Sequence, residues 1–188
     1  MSEERMMIVQ EDDRELRSEL QKITETSGFN QIADIAALGK RHPHSISFVT
    51  HSSEQPHGYN CFMYALGLVV LPDRLIALAR QHEDAFPSAR FIARLVDRGL
   101  HNIAAADVED GDVVIYFDGE GNATHAGIVQ GGCIVSKWGT GHIWKHQLFE
   151  IPTSYGREAR FYRRIDRDEA LRLFEAFAQE VVGNQPAV

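Results

Sequence analysis

From about residue 103 onward the chain carries short β-rich runs, one after another, with glycine-containing turns between them. The runs read DGDVVIYFD, THAGIVQ, CIVSKW, HQLFEIP and REARFYRRI. Short runs of this composition, separated by turn residues, are typical of an antiparallel β-meander. This feature constrains the fold more than any other, because strands joined by short turns pair with their neighbours in the chain.

Helical patterns lie on both sides of these strands. Residues 11–26 carry leucine and isoleucine at helical spacing, and FNQIADIAALG predicts a second short helix that ends at Gly39. SISFVT predicts one strand before two further helices, PDRLIALARQH and PSARFIARLVDRG, each of which begins with a proline suited to a first turn. The run DRDEALRLFEAFAQEVV predicts a last helix with Asp166 as its cap.

This order of elements predicts an α+β fold, in which N-terminal helices and a C-terminal helix pack on a central antiparallel sheet. A chain of 188 residues with 44% hydrophobic residues can bury one core of ordinary size. We therefore expect a single domain over residues 1–188. It divides into a helical lead-in (1–40), a core (41–165) and a closing helix (166–182).

Composition excludes several classes of protein. With 27 acidic and 19 basic side chains the formal charge is −8, which opposes binding to nucleic acid. The acidic N-terminus lacks the basic and apolar regions of a secretory signal, and no apolar run approaches the roughly 20 residues of a membrane span. We expect a cytoplasmic protein with no membrane partner, unless a dedicated secretion route delivers it. Two cysteines are too few for a disulfide framework.

Cys61 lies where a polar loop meets an apolar helical run, in HGYNCFMYALGL. Gly58 and Asn60 precede it as non-helical entry residues. The unpaired N–H groups and positive dipole at a helix N-terminus stabilise a thiolate, so this position favours a nucleophilic cysteine. The alternative is a small buried hydrophobic residue of the core.

His125 is the best candidate for a base that would take the thiol proton. It opens the run HAGIVQ, so it lies at the first position of a strand, near the rim of the sheet, where a helix end can meet it. A purely structural histidine is the alternative interpretation.

Three segments in order resemble the NlpC/P60 and CHAP cysteine peptidases and amidases, which are bacterial enzymes with a papain-like fold. The segments are YNCFMYALG, EDGDVVIYFD and THAGIVQGGCIVSKWG, within residues 57–138. The resemblance implies Cys61 as nucleophile and His125 as general base. It also implies Tyr59 as an oxyanion donor beside the Cys61 backbone N–H. Asn60, directly before the cysteine, is a further candidate catalytic residue.

The third catalytic residue follows from hairpin register. If Gly131 and Gly132 form a two-residue turn, Gln130 faces Cys133, and Ser136 shares a sheet face with His125 while Lys137 points away. Ser136 is then the choice of this register. A turn of odd length would instead place Lys137 on the face of His125. His142 and His146 are further candidates for the third catalytic residue.

Two aromatic residues flank this region. Trp138 and Trp144, with His142, are predicted to line a groove for an extended peptide or glycan, and core packing is the alternative. The histidines suggest a rival zinc site, formed with Cys61 either by His42, His44, His51 and His57 or by the His142 and His146 pair. We expect no metal and no cofactor.

The predicted activity is hydrolysis of an amide bond in a peptide, an isopeptide or a peptidoglycan-like cell-wall stem, by a thiol protease or amidase that forms an acyl-enzyme. Two alternatives remain open. One is a catalytically weak or inactive papain-like fold used as a binding or regulatory module. The other is an acyltransferase or deamidase that uses the same residues.

Overall fold

The computed structural model describes residues 7–8, 13–26, 30–52, 58–80, 86–98, 100–139 and 141–183. The strands in these ranges are β1 (Met7–Ile8), β2 (Ser47–Thr50), β3 (Asn102–Ile103), β4 (Val113–Phe117), β5 (Ala123–Gln130), β6 (Cys133–Lys137), β7 (Ile143–His146) and β8 (Glu158–Tyr162). The helices are α1 (Arg14–Thr26), α2 (Gln31–Leu38), α3 (Cys61–Ala65), α4 (Asp73–Ala79), α5 (Ala89–Asp97) and α6 (Arg167–Gly183). The predicted combination of helices with an antiparallel sheet is confirmed.

The strands form one sheet in the order β1-β8-β4-β5-β6-β7-β2, and β3 pairs with β8. Strands β4 to β7 follow each other as antiparallel neighbours, as the meander pattern predicts. The chain then returns to place β8 on the other side of β4. Strands β4 and β5 are therefore central, and the start of β5 is where the candidate site lies.

The β5–β6 hairpin has the predicted register. Gly131 and Gly132 both adopt left-handed φ angles, of 58° and 70°, which a two-residue turn of this kind requires. Gln130 pairs with Cys133, and Gly127 pairs with Ser136. Side chains of β6 therefore alternate as the register argument requires, with Ser136 on one face and Lys137 on the other.

Two predicted elements differ from those observed. The run HQLFEIP is not a strand, since β7 ends at His146 and the chain turns, with the Glu150 N–H bonded to the Gln147 carbonyl at 3.1 Å. The Glu150 carboxylate holds the turn by accepting from the Gln147 N–H. The helical lead-in, residues 1–40, also contains strand β1, which pairs with β8.

Helix α3 is shorter than the apolar run that follows Cys61. It ends at Ala65 because Gly67 turns to a left-handed φ of 70°. The Leu68 N–H then bonds back to the Met63 carbonyl at 2.7 Å, which is the pattern of a glycine-terminated helix. Because α3 is only 5 residues long, Cys61 lies at the beginning of a helix of little more than one turn.

Helices cover both faces of the sheet, and each face has its own hydrophobic core. One core, here called the α3–α6 core, contains Val113, Ile115 and Phe117 of β4. The other, the α1–α2 core, contains Val114 and Tyr116 of the same strand. Alternate residues of a strand point to opposite faces, which is why a continuous apolar run can serve both cores. No helix among the described residues is long and apolar enough to cross a membrane.

Candidate active site

Asn60 positions Cys61 at the start of α3. It is the N-cap residue, in extended conformation, and its Oδ1 accepts from the Met63 N–H at 2.9 Å. Its Nδ2 donates to the Pro87 carbonyl at 2.6 Å, just before α5. Both ends of the amide are therefore occupied, and the site is tied to the segment that leads into α5.

The Cys61 thiol lies against the middle of the sheet. Backbone N–H groups of Ala126, Phe62 and Cys61 itself face the sulfur, and each favours the thiolate. Burial outweighs them and raises the pKa of Cys61 to about 11. The sequence predicted a thiolate populated near neutral pH, whereas the observed surroundings keep the thiol protonated.

His125 is buried, with 1% of its surface exposed. Its ring lies between two tyrosines, stacked on Tyr155 with centroids 3.9 Å apart and tilted against Tyr116 at 5.7 Å. Burial, together with the positive charges of His146 and Lys137, lowers its pKa well below 6.5. The imidazole is therefore neutral near pH 7, which is the state in which it accepts a proton.

Cys61 and His125 lie near the start of β5 but on opposite faces of the sheet. The Ala126 N–H that faces the sulfur belongs to the residue that follows His125, and β5 directs these two side chains to opposite faces of the sheet. Within the described residues no hydrogen bond joins the sulfur to the imidazole, and His125 Nε2 is buried without a partner.

Ser136 belongs to a different network. Its hydroxyl lies 2.8 Å from His146 Nε2 and accepts from Trp138 Nε1 at 3.0 Å. The His146 Nδ1–H donates to the Gln147 carbonyl at 2.7 Å, so Nε2 is the acceptor of the serine proton. Ser136 and His146 therefore bind one another, and neither is hydrogen-bonded to His125.

Lys137 is the polar residue of β6 on the side of Cys61. Only 3% of its surface is exposed, and its ammonium lies 5.1 Å from the centre of the Tyr59 ring while it donates to the Gly139 carbonyl. Among the described residues no carboxylate pairs with it. Burial lowers the pKa of Lys137, and the thiolate form of Cys61 would raise it. Tyr59 thus contacts a buried cation that lies near the sulfur.

Tyr155 completes the site and was not predicted from the sequence. It ends the short 3₁₀ helix Thr153–Tyr155 and covers the His125 ring. Its hydroxyl is buried close to the backbone of Gly139 but forms no hydrogen bond of normal geometry among the described residues. Burial and the negative charge of a Cys61 thiolate both raise the pKa of Tyr155. The only sequence signal was a loose likeness of YGREARFYRR to the resembled families.

The predicted groove residues lie in the core or at the sheet edge. Trp138 and Trp144 are 0% and 1% exposed and belong to the α1–α2 core, so neither forms an open wall. His142 is half-buried beside β2, with its ring 4.8 Å from that of His51 and 5.6 Å from that of Phe48. These positions correspond to the core-packing alternative for the two tryptophans.

The histidines of the rival zinc site lie in separate environments. His44 bonds to the Ile35 carbonyl at 3.1 Å, whereas His146 binds Ser136 in the core. His57 lies outside the described residues. In the part of the chain that the structure describes, no group of three or more histidine, cysteine or acidic side chains is arranged to hold a metal ion.

A model of a family described as a domain of unknown function, DUF7689, matches residues 49–163. The chain belongs to this family. The match contains Cys61, His125, Lys137 and Tyr155, so the whole candidate site lies within the DUF7689 segment. No curated protein and no solved structure matches the chain significantly.

Arg17, on α1, lies outside the DUF7689 segment but holds the loop that carries Tyr155. It is 4% exposed, and its guanidinium donates to the carbonyls of Ile151, Pro152 and Gly156. Replacing Arg17 with methionine should lower the free energy of unfolding by about 2 to 4 kcal/mol, because three buried carbonyls lose charge-assisted hydrogen bonds. Urea unfolding measures this loss.

The matched control for Arg17→Met is Arg41→Met. The Arg41 side chain is 65% exposed and lies 3.5 Å from Glu19. Exposed pairs of this kind contribute at most about 1 kcal/mol, so this variant should unfold nearly as the wild type does. Equal stability of both variants would contradict an anchoring role for Arg17.

Proposed function

We propose that this chain is a papain-like thiol hydrolase, of the NlpC/P60 kind, that cleaves an amide bond in a peptide, an isopeptide or a cell-wall stem peptide. The observation that carries the proposal is the unpaired, buried Nε2 of His125, together with a cysteine at the start of a capped helix whose sulfur faces the N–H of Ala126, the next residue of β5. Unpaired buried polar atoms are rare in native proteins because they cost free energy, and they concentrate at functional sites.

The first step is attack by Cys61 Sγ on the substrate carbonyl carbon. The thiol proton passes to His125 as the carbon–sulfur bond forms, and the imidazolium then gives that proton to the leaving amine. Water, deprotonated by His125, attacks the thioester, so that a carboxylic acid leaves and the thiol is restored. A free amine or the side-chain amide of glutamine would turn the same steps into acyl transfer or deamidation.

The protonation states suit a general-base mechanism. A thiol with a pKa of about 11 does not ionise by itself near pH 7, and an imidazole with a lowered pKa is neutral there. The resting pair is therefore thiol and free base, in place of the thiolate and imidazolium that the helix position suggested. Proton transfer and attack then occur together.

Positive groups near the sulfur support the developing oxyanion. The backbone N–H of Cys61 faces the reacting atoms, and the Lys137 ammonium lies on the same side of β6. Fixed donors and charges in a site of low dielectric stabilise negative charge that develops in the transition state. Lys137 supports this role beside Tyr59, the predicted oxyanion donor, whereas Ser136, the predicted third catalytic residue, is hydrogen-bonded to His146.

The second candidate function is a binding or regulatory module without catalysis. The raised pKa of Cys61 favours it, and so does the Tyr155 ring that covers His125. In this case the thiol is a core residue, and the polar atoms around it serve only the packing of α3 on β5.

Alkylation of Cys61 across pH 6 to 11 separates the two functions. The experiment uses iodoacetamide with Cys133→Ala as the background, so that one thiol reports. A hydrolase should show a labelling phase near neutral pH that depends on His125, and His125→Ala should slow this phase at least about tenfold, as expected for loss of a general base.

His101→Ala is the control for this experiment, since His101 is exposed and directly precedes β3. His101→Ala should leave the labelling phase near neutral pH unchanged. A single phase with a midpoint near 11, identical with and without His125, would support the non-catalytic module and refute the hydrolase.

A further inference from the structure

A cavity of about 450 Å³ lies between α5 and the β4–β5 hairpin. Its lining includes Ala89, Arg90 and Asp97 from α5, Phe117 from β4, Ala123 from β5 and Arg160 from β8. This volume falls within the usual range of small-molecule sites, which combine apolar walls with a few polar groups. None of the residues assigned to catalysis lines it.

Arg160 lines this cavity from β8, and Asp97 lines it from α5. The Arg160 guanidinium stacks over the Phe117 ring at 4.8 Å, and its Nε is buried without a hydrogen-bond partner. Its side chain forms no ion pair with any carboxylate in the described ranges. By contrast, Arg94 pairs with Glu180, and Arg163 pairs with Glu109 and Asp112. The stacking fixes the planar fork of Arg160 in place, and because Nε is enclosed by protein, a ligand in the cavity would be met by the terminal amino groups of the fork.

The N-terminus of α5 borders the same cavity. Ser88 is its N-cap in extended conformation, but its side chain makes no capping hydrogen bond. Ala89 and Arg90, the first two helical residues, line the cavity. First-turn N–H groups have no partner inside a helix, and with the helix dipole they attract an anion.

We propose that this cavity binds a small organic acid whose oxyanion, a carboxylate or a phosphate, is held by Arg160 and the first turn of α5. The apolar body of the ligand would lie against Phe117 and the alanines of α5 and β5. Asp97, on the same wall, disfavours a second negative charge, so the ligand is an acid with one anionic group. This inference does not rest on the proposed function, because it requires no reaction at Cys61.

Titration of the full chain with three matched probes tests the inference. Phenylacetate presents a carboxylate, phenyl phosphate presents a phosphate, and phenylacetamide is the neutral counterpart of the first. Calorimetry gives the affinities, and NMR follows the Arg160 Nε–H and the first-turn amides of α5. We expect saturable binding of at least one acid, with both sets of signals shifted, and at least about tenfold weaker binding of the amide.

Arg160→Gln should weaken binding of the acid about tenfold or more, since it removes the charge and the planar fork. Arg157→Gln is the matched control, because Arg157 is exposed, precedes the same strand and does not line the cavity. Cys61→Ala should bind the acid as the wild type does, so failure of the hydrolase proposal leaves this result unaffected.

Equal affinity for the acids and the amide, or equal affinity of wild type and Arg160→Gln, would overturn the inference. If Arg160→Gln lowers the melting temperature, Arg160→Lys and the wild-type NMR signals replace it as the test of the acid site. In that case the acid must still shift the Arg160 Nε–H, and an unshifted signal at saturation counts against the site.

Discussion

Replacing Cys61 with alanine should abolish amide hydrolysis, with a loss of at least about a thousandfold in kcat/KM, because no other group in the site can form the acyl-enzyme. The free energy of unfolding should change by no more than about 1 to 2 kcal/mol, because only one sulfur at a half-buried residue is removed. Product release from a library of peptide and isopeptide amides measures the activity. Thermal unfolding measures the stability.

Cys133→Ala is the control for Cys61→Ala. Cys133 begins β6, and its sulfur lies 3.7 Å from Gln147 Nε2. The Cys133→Ala substitution removes the same atoms as Cys61→Ala, but at a position far from His125, so activity should persist. A Cys61→Ala protein that unfolds outright would show that the thiol has a structural role and would count against the hydrolase.

Lowering the pH from 6.5 towards 4 should destabilise the protein strongly, through two buried histidines. Burial lowers the pKa of His146 to about 4 and that of His125 well below 6.5. The unfolded chain binds protons at these residues near pH 6.5, whereas the folded chain does not. Stability is therefore complete above pH 6.5 and is lost as the pH falls towards the folded-state pKa.

The expected loss is large. A histidine whose pKa falls from 6.5 to about 4 on folding contributes about 3 kcal/mol over this interval, and His125 adds to it in the same direction. Exposed carboxylates such as Asp118, whose pKa is lowered from 3.8, act at lower pH. Urea unfolding between pH 8 and 5 therefore reports the histidines.

His146→Gln tests this assignment. Glutamine can still accept the Ser136 hydroxyl but does not titrate, so the variant should lose less stability than the wild type between pH 6.5 and 5. His101→Gln, at an exposed position, should keep the wild-type profile. An unchanged profile in His146→Gln would show that the acid sensitivity arises elsewhere.

Local patterns were sufficient to predict much of the sheet. The glycine pair at 131 and 132 determines the hairpin register, because two successive left-handed residues make a two-residue turn, and every side chain on β6 follows from it. The local sequence pattern predicted the wrong element where long-range contacts determine the structure. The run after His146 turns instead of continuing as a strand, because the Glu150 carboxylate binds the Ser45 and Gln147 N–H groups.

The residues of the candidate site also divide into those that local sequence predicts and those that only long-range contacts determine. Cys61 at a helix start could be predicted from its neighbours, because a cap residue acts over three or four positions. His125 was predicted to open its strand, but it is the third residue of β5, because pairing with β4 already begins at Ala123. Tyr155 could not be predicted, since the contact that stacks it on His125 spans thirty residues of chain, and it depends on Arg17 holding the loop from a helix at the other end of the protein.

The amino-acid sequence by itself determined that a helix begins at Cys61 and which register the β5–β6 hairpin adopts, since these depend on local backbone conformation and alternation. Only the tertiary structure decided the charge states of the candidate site. A pKa depends on how much water reaches a group, and it is packing between α3, β5 and the Tyr155 loop that excludes water from Cys61 and His125.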